Sequence, residues 1–488
     1  MHYLCPQIKN YQLIKTMKKL SILLFALLLS MAAAVAQDYT SYYRDLPVQM
    51  PAVAAPVIPD NTVSLKDFGG VGDGVTLNTE AFAKAISALG KKGGGHLVVP
   101  AGVWLTGIIN LKDNIDLHLE RNAVVMASPD RSLFVRMQDG KKTQKCDPMI
   151  KASKRKNVSI TGEGVIDGNG AYWRPVKRSK VSDVEWAAYK FMGGTEAEGG
   201  KLWFPFNLKH FDNIAASAEK QENMRTHLIR LTDCENVLVK GVTIQNSPKF
   251  HLIPTRCSNV IVDGVTIRCP WNAQNGDALD LSSCRNVLVV NNTIDAGDDG
   301  ICMKAGAGKS GLEYGPCENI LIENNTVYHA HGGFVIGSEF TGGMKNIVVR
   351  RNRFSGTDTG LRFKSGIGRG GKSSGIYISD IVMTDIKDEA VVFECTYVDK
   401  KYSVKEEEKK VPDFSNAEFA PEFTDIHISN VVCRGARTAV SAHGLPGLKC
   451  VHGVTIDNST FFFTEKDKDI DANSDVKITN TRFVTFDK

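Results

Sequence analysis

Beyond residue 36 the chain has no apolar run long enough to span a bilayer, so its body is not expected to cross a membrane. It has no Cys-x-x-Cys pair, which argues against a zinc site. The glycine-dense stretch Gly69 to Gly74 is not followed by Gly-Lys-Ser/Thr and fits no strand–GxGxxG–helix pattern. That stretch is read as a turn rather than a phosphate cradle. Positive charge is also scarce. The formal +5 includes Lys9, Lys15, Lys18 and Lys19, and without those four the balance is +1. A near-neutral chain is not expected to bind nucleic acid through a globally basic surface. Any affinity for an anionic ligand must come from local clusters.

Those four lysines matter because Met17-Lys18-Lys19, the apolar run Leu20 to Val35 and the ending Ala34-Val35-Ala36 have the three parts of a secretory signal peptide. Residues 1–36 are therefore read as a leader starting at Met17, residues 37–62 as a Pro/Ala-rich linker, and the product as exported, periplasmic or secreted. An exported chain could pair its ten remaining cysteines. Yet Cys234, Cys257, Cys284 and Cys317 each stand two residues before an asparagine that opens a repeat. A ladder of small buried thiols is the expectation, in preference to a disulfide framework.

The repeat is what the chain has in abundance. Asn-apolar-x-apolar segments open at Asn236, Asn259, Asn286, Asn319 and Asn346, at intervals of 23, 27, 33 and 27 residues. Weaker copies begin near Asn157, Gly375, Asp425, Gly453 and Asp475. Apolar residues alternate within each copy, so each contributes short strands with one buried face. Asn or Gly between the apolar pairs supplies the bend. Short strands at this period without intervening helices predict an all-β parallel β-helix, a solenoid of stacked coils, over residues 63–488. A leucine-rich repeat would need a leucine pattern that is absent, and a propeller blade a longer unit. The segment Glu80 to Leu89, with Phe82, Ala85, Ile86 and Leu89 on one face, suits a short helix capping the open end.

Two segments interrupt the period. The stretch 173–227 is rich in aromatics, including Trp186, Tyr189, Trp203, Phe204 and Phe206, which either pack the insertion down or wall a cleft. The second, near 402–421, holds the charged run Lys405 to Lys410, read as a solvated loop.

Asn275-Gly276-Asp277, Asp298-Asp299, His331-Gly332 and Arg362-Phe363-Lys364 recur about once per coil. Asp298 lies 12 residues after Asn286, and His331 lies 12 after Asn319, so the two share a place on adjacent coils. Asp277 and Arg362, 18 and 16 residues after their asparagines, need slightly longer turns. With rungs about 4.8 Å apart, three carboxylates, an imidazole, a guanidinium and an ammonium converge on one patch. Any one of these motifs alone is a turn, a structural histidine or a basic edge, and Asp280 reads as a turn or backbone ligand. Stacked, they read as an active site. Arg362 and Lys364 alternate on one strand and so point to one face, where a guanidinium and an ammonium suit a carboxylate. Lys304 can add to that charge, and Tyr397 either stacks on a ligand or packs its loop.

NGDALD, AGDDGICMKAG, HAHGGFVIGS and GLRFKSG resemble the four active-site motifs of glycoside hydrolase family 28, the polygalacturonases. The opening VSLKDFGGVGDGVTLNTEAF and the phrase VVPAGVWLTG resemble its bacterial, exo-polygalacturonase-like members. Asn-Gly-Asp stands where that family usually has Asn-Thr-Asp, and Ala-His-Gly where it has Gly-His-Gly. The resemblance implies a right-handed, pectin-lyase-like solenoid and inverting hydrolysis of α-linked galacturonic acid. Asp298 would be the general acid, Asp277 and Asp299 would position and activate water, and His331 would support the acid. Asn275, Lys304, Arg362, Lys364 and Tyr397 would contact an acidic pectic chain. No metal or other cofactor is expected, and the chain is expected to be a monomer. Adjacent rungs put carboxylates about 5 Å apart, a spacing usually associated with retention, so the residues themselves leave the stereochemistry open.

Two rival readings differ in class. A pectate lyase shares the solenoid but eliminates by proton removal, using clustered acids to hold calcium and Arg or Lys as base. A non-catalytic β-helix, such as an adhesin, has no need for six converging ionisable groups. The insertion at 173–227 precedes the coils of Asp277 and Asp298, and predicts a groove closed at one end and attack on chain termini.

Overall fold

The computed structural model describes residues 38–205, 224–397 and 417–485. The leader expected over residues 1–36, Phe206 and the charged run Lys405 to Lys410 lie outside them. Two compact units divide at Arg44/Asp45. The first contributes one 3-10 turn, Thr40–Tyr43. The second is a parallel β-helix wound in the right-handed sense that parallel crossovers impose. Among the described residues no helix is long and apolar enough to cross a membrane.

Each coil contributes strands to parallel columns. In one column Ile229–Thr232, Leu252–Thr255, β1 (Leu279–Ser282), β2 (Ile301–Lys304), β3 (Gly332–Ile336) and β4 (Thr359–Lys364) pair in succession. A second column runs through Glu235–Lys240, Ser258–Asp263, Arg285–Val290, Cys317–Glu323 and Met344–Arg350. Alternating Val, Ile and Leu of these strands fill the bore, as the period-two pattern requires. Helix α1 (Thr79–Lys91) buries Phe82, Ala85, Ile86 and Leu89 and packs on the first strands, the cap anticipated from sequence.

The repeat-opening asparagines do more than bend the chain. Asn114, Asn157, Asn236, Asn259, Asn286, Asn319 and Asn346 all hold φ between +53° and +59°. This is left-handed backbone that Asn tolerates better than other side-chain-bearing residues. Asn114 Nδ2 donates to Gly93 O, and each later Nδ2 donates to the Oδ1 of the asparagine one coil earlier, at 2.7–3.2 Å. A second buried ladder links Asn292, Asn325 and Asn352. Beside the first ladder, the Cys257, Cys284 and Cys317 thiols donate to the carbonyls of Leu231, Pro254 and Leu281 on the preceding coil. All ten described cysteines are free and buried, so the thiol ladder holds and no disulfide framework is formed.

The aromatic insertion folds as its own small body. Val176–Lys177, Leu202–Phe204 and Thr195–Ala197 form an antiparallel sheet beside α2 (Asp183–Phe191). Val176, Trp186 and Trp203 make its core, with Tyr189 against Trp203 at 5.0 Å between ring centroids. Of the two possibilities for these aromatics, packing is the one realised: Trp186, Trp203 and Phe204 are buried.

Asn319 donates to Asn286 and accepts from Asn346. Asn319→Gly keeps the left-handed turn but loses both bonds, about 2 kcal/mol. Asn319→Ala adds a backbone penalty of about 1–2 kcal/mol. Urea unfolding of the two variants should rank them in that order. Equal losses would show that the turn conformation carries no cost.

Candidate active site

The site forms where the chain turns from the third strand of each coil into β1 to β4. Asp277 precedes β1, Asp298 and Asp299 precede β2, His331 precedes β3, and Arg362 and Lys364 lie on β4. Register then stacks them: Asp280 pairs with Cys302, Cys302 with Val335, and Val335 with Arg362. Glycine lets the coils approach this closely. A Cβ on Gly333 would lie 2.4 Å from the Phe354 ring, and one on Gly337, at φ +108°, would lie 1.9 Å from the Lys364 carbonyl oxygen.

Asp298 is the most open of the acids, its side chain 16 % exposed, and its Oδ1 lies 2.9 Å from His331 Nδ1. Asp299 is buried, with Lys364 Nζ at 2.6 Å from Oδ2 and Arg362 Nη1 at 3.6 Å from Oδ1. Burial alone would favour its protonated form, but Lys364, Lys304 and Arg362 outweigh burial and hold the carboxyl far below the usual range. Asp277 goes the other way. Burial, then the charges of Asp280 and Asp298, push its pKa well up, and its Oδ1 has no hydrogen-bond partner among the described residues. Its backbone oxygen is fixed by the buried His251, whose Nε2 accepts from Ser247 N–H, so that Nδ1–H donates to Asp277 O at 2.9 Å. Burial draws His251 down to about 4, keeping it neutral.

Several sequence expectations change in detail. Asp280 is no turn residue. It sits buried on β1 with neither carboxyl oxygen partnered among the described residues, and burial raises its pKa to about 6. Lys364, its side chain 6 % exposed, is paired with Asp299. Asn275, at φ +52°, has its Oδ1 engaged by Arg225 at 2.7 Å. Tyr397 sits over the two cations, its ring centroid 5.1 Å from Lys364 Nζ and 5.6 Å from the Arg362 guanidinium carbon. Lys304 donates to Gly337 O at 3.1 Å and lies 3.9 Å from Glu339. Burial opposes its charge, yet Cys302, Asp280, Asp277 and Glu339 keep its pKa well above the ordinary lysine value. The donor atoms of Asp298, Asp299 and His331 lie within 4.8 Å of one another, but the Lys364 ammonium already occupies Asp299. The set is built to handle protons.

Three cations of the insertion went unnoticed in the sequence. Arg174 binds Ser247 O and Asn246 Oδ1, and Arg225 binds Gln274 O and Asn275, so both roots of the insertion are tied to turns of the site-bearing coils. Lys180 reaches His331 Nε2 at 3.3 Å. Asp358 Oδ2 lies 3.8 Å from that nitrogen and is itself paired with Lys387 at 2.8 Å. Arg174, Lys180 and Arg225 lie outside the coil period, so no repeat signal marks them, whereas Asp358, 12 residues after Asn346, and Lys387, 12 after Gly375, keep the offset that Asp298 and His331 share.

Residues 193–458 match the family model described as glycosyl hydrolases family 28, which covers more than half of the chain. The chain belongs to glycosyl hydrolases family 28. It is 30% identical over 332 residues to a probable polygalacturonase of Vitis vinifera, covering 67% of this chain and 62% of that one. It is 28% identical over 407 residues to an exo-poly-alpha-D-galacturonosidase of Dickeya chrysanthemi, covering 78% and 64%. The chain thus spans less than two thirds of either relative's length. The crystal structure of a hyperthermoactive exopolygalacturonase from Thermotoga maritima superposes with a TM-score of 0.67 at 29% identity, covering 88% of this chain and 94% of that one. The family expected from the four motifs is the family found.

Asp280 makes the electrostatics of this family 28 site testable without substrate. Its folded pKa of about 6 lies above the value of about 4 usual for an unfolded aspartate. The folded chain therefore holds a proton that the unfolded chain releases. This contribution to stability is present below about pH 4 and is lost as pH rises through about 6. Asp280→Asn is neutral throughout, and should gain on the wild type by on the order of 1–3 kcal/mol between pH 4 and pH 7. Urea unfolding across that range measures the difference. A gap that does not change with pH would refute the protonated Asp280.

Proposed function

We propose that this chain is an inverting glycoside hydrolase that removes α-linked galacturonic acid from the ends of pectic chains or oligosaccharides. The observation that carries this reading is the division of labour among the acids. Asp298 is open to a ligand and braced by His331, while Asp299 beside it is held ionised by Lys364. If His331 Nδ1–H donates to Asp298 Oδ1, Oδ2 is left to carry the proton to the glycosidic oxygen. Asp299 is then the carboxylate suited to accept a proton from the attacking water. Asp277 holds a proton by burial and has an unpartnered oxygen, which suits orienting that water better than deprotonating it.

Recognition of the uronate carboxylate falls to Arg362, whose side chain is 18 % exposed, more than to Lys364. The pairing of Lys364 speaks against elimination, since one of the candidate bases is committed to Asp299. The blocked groove is supported by Lys180, which brings the insertion to the catalytic histidine, and by the exo-acting relatives. The leader-like start, outside the described residues, supports export as the setting, and a pectic polymer as the partner.

Asp298→Asn should lower kcat by at least a hundredfold while leaving KM within a few-fold. Near-normal turnover would remove the acid proposed here.

On homogalacturonan and rhamnogalacturonan assayed side by side, reducing ends should rise on the former, with mono- or disaccharide products and slowly falling viscosity. Rapid viscosity loss with mixed oligomers would overturn the chain-end mode. Unsaturated uronate absorbance would overturn hydrolysis.

A further inference from the structure

Lys180 stands 151 residues from His331 in sequence, yet its ammonium is 3.3 Å from His331 Nε2. It is half-buried, and it also lies 3.5 Å from Gly297 O, the carbonyl just before Asp298. An ammonium has only donors, so a hydrogen bond between these nitrogens makes Nε2 the acceptor. Nε2 then has no proton, and the neutral ring carries it on Nδ1, the nitrogen 2.9 Å from Asp298 Oδ1. We propose, resting on the glycosidase reading above, that Lys180 is a positioning residue that keeps His331 neutral with its proton on Nδ1, and so lets Asp298 keep the proton it delivers.

The alternative state explains why such a residue would matter. An imidazolium at His331 would pair with the Asp298 carboxylate and favour its ionised form, emptying the general acid. Two carboxylates face the ring and push it toward that state: Asp298 at Nδ1 and Asp358 at Nε2, the latter at 3.8 Å. Lys387 already pairs with Asp358 at 2.8 Å and blunts its pull. Lys180 adds a second cation on the Nε2 side, while Lys177 is the further cation acting on Lys180 itself. A lysine begins about 4 units above a histidine in pKa, so the proton shared by this pair belongs to Lys180. Burial draws Lys180 below its ordinary value, and Asp298 and Asp358 work against that shift.

The arrangement also gives the insertion a chemical role beyond closing the groove. Lys180 is the last residue of a 3-10 turn, Arg178–Lys180, at the edge of the small sheet. The insertion is rooted by Arg174 and Arg225 on turns 246–248 and 274–275, with Arg225 also reaching Pro248 O. The same anchoring that seats the insertion therefore aims its lysine at the catalytic pair.

The test uses the full chain with 15N-labelled histidine, the His331 signals being assigned with His331→Gln. In the wild type, two-bond 15N–1H spectra should show neutral His331 as the Nδ1–H tautomer. In Lys180→Met the apparent pKa of His331 should rise by about 1 unit. The acidic limb of the kcat profile should move up by the same amount, with KM within about twofold. Lys180→Arg, a cation that cannot lose its proton, should restore both. An unchanged His331 tautomer and pKa in Lys180→Met would overturn the proposal. A raised KM with an unmoved kcat profile would also overturn it, making Lys180 a substrate contact instead. Thermal unfolding of each variant separates these outcomes from simple loss of fold. The spectra need no substrate, so their outcome stands even if galacturonan is not what the enzyme cleaves.

Discussion

The asparagine turn is the constraint on which the rest of this molecule depends. At each coil one residue must enter left-handed backbone, and its side chain must still satisfy hydrogen bonds in a half-buried stack. Asn does both: it tolerates φ near +55°, and its amide is donor and acceptor at once. Because Asn236, Asn259, Asn286, Asn319 and Asn346 bond in unbroken succession, no coil can slip by a residue without losing two amide bonds. A slip would also turn every buried valine and isoleucine outward. Asp277, Asp298, His331 and Arg362 belong to four different coils, so their convergence is a consequence of this register and not of any local motif.

Once stacked, the acids cannot all be charged. Asp277, Asp280, Asp298 and Asp299 crowd one end of the column, and burial raises the cost of every ionised form. The structure resolves this by spending lysine charge selectively. Lys364 goes to Asp299, which stays anionic, while Asp277 Oδ1 and both Asp280 oxygens have no hydrogen-bond partner among the described residues, and the two acids lean toward their neutral forms. Lys304 is held by the Gly337 carbonyl between these groups. Sequence can place four carboxylates and three cations on one patch, but which cation sits on which acid depends on side-chain reach of a few ångströms. That is why Lys364 reads from sequence as a contact for an acidic ligand, while its pairing with Asp299 is seen only in the structure.

What was legible in the sequence was therefore what obeys the coil period. The equal offset of 12 residues from Asn286 to Asp298 and from Asn319 to His331 became a 2.9 Å contact between the two side chains. Cys257, Cys284 and Cys317, stacked by the same reasoning, became a ladder of thiol bonds to the preceding coil. Asp280 was lost because its position three residues after Asp277 looks like turn chemistry. Only the start of β1 at Leu279 turns its carboxyl into the buried column.

The insertion shows the other limit. Its aromatic content left packing and a cleft wall equally open, but a three-stranded sheet and a nine-residue helix have too little apolar surface to hold together without large side chains at their centre. Trp186 and Trp203 are spent on that centre, and the groups delivered to the site are cations instead. Arg174 and Arg225 bind carbonyls of the turns at 246–248 and 274–275, and Lys180 reaches His331. Aromatic residues in a non-periodic segment therefore say that it folds, while its contribution to chemistry lies in long, charged side chains that carry no periodic signature at all.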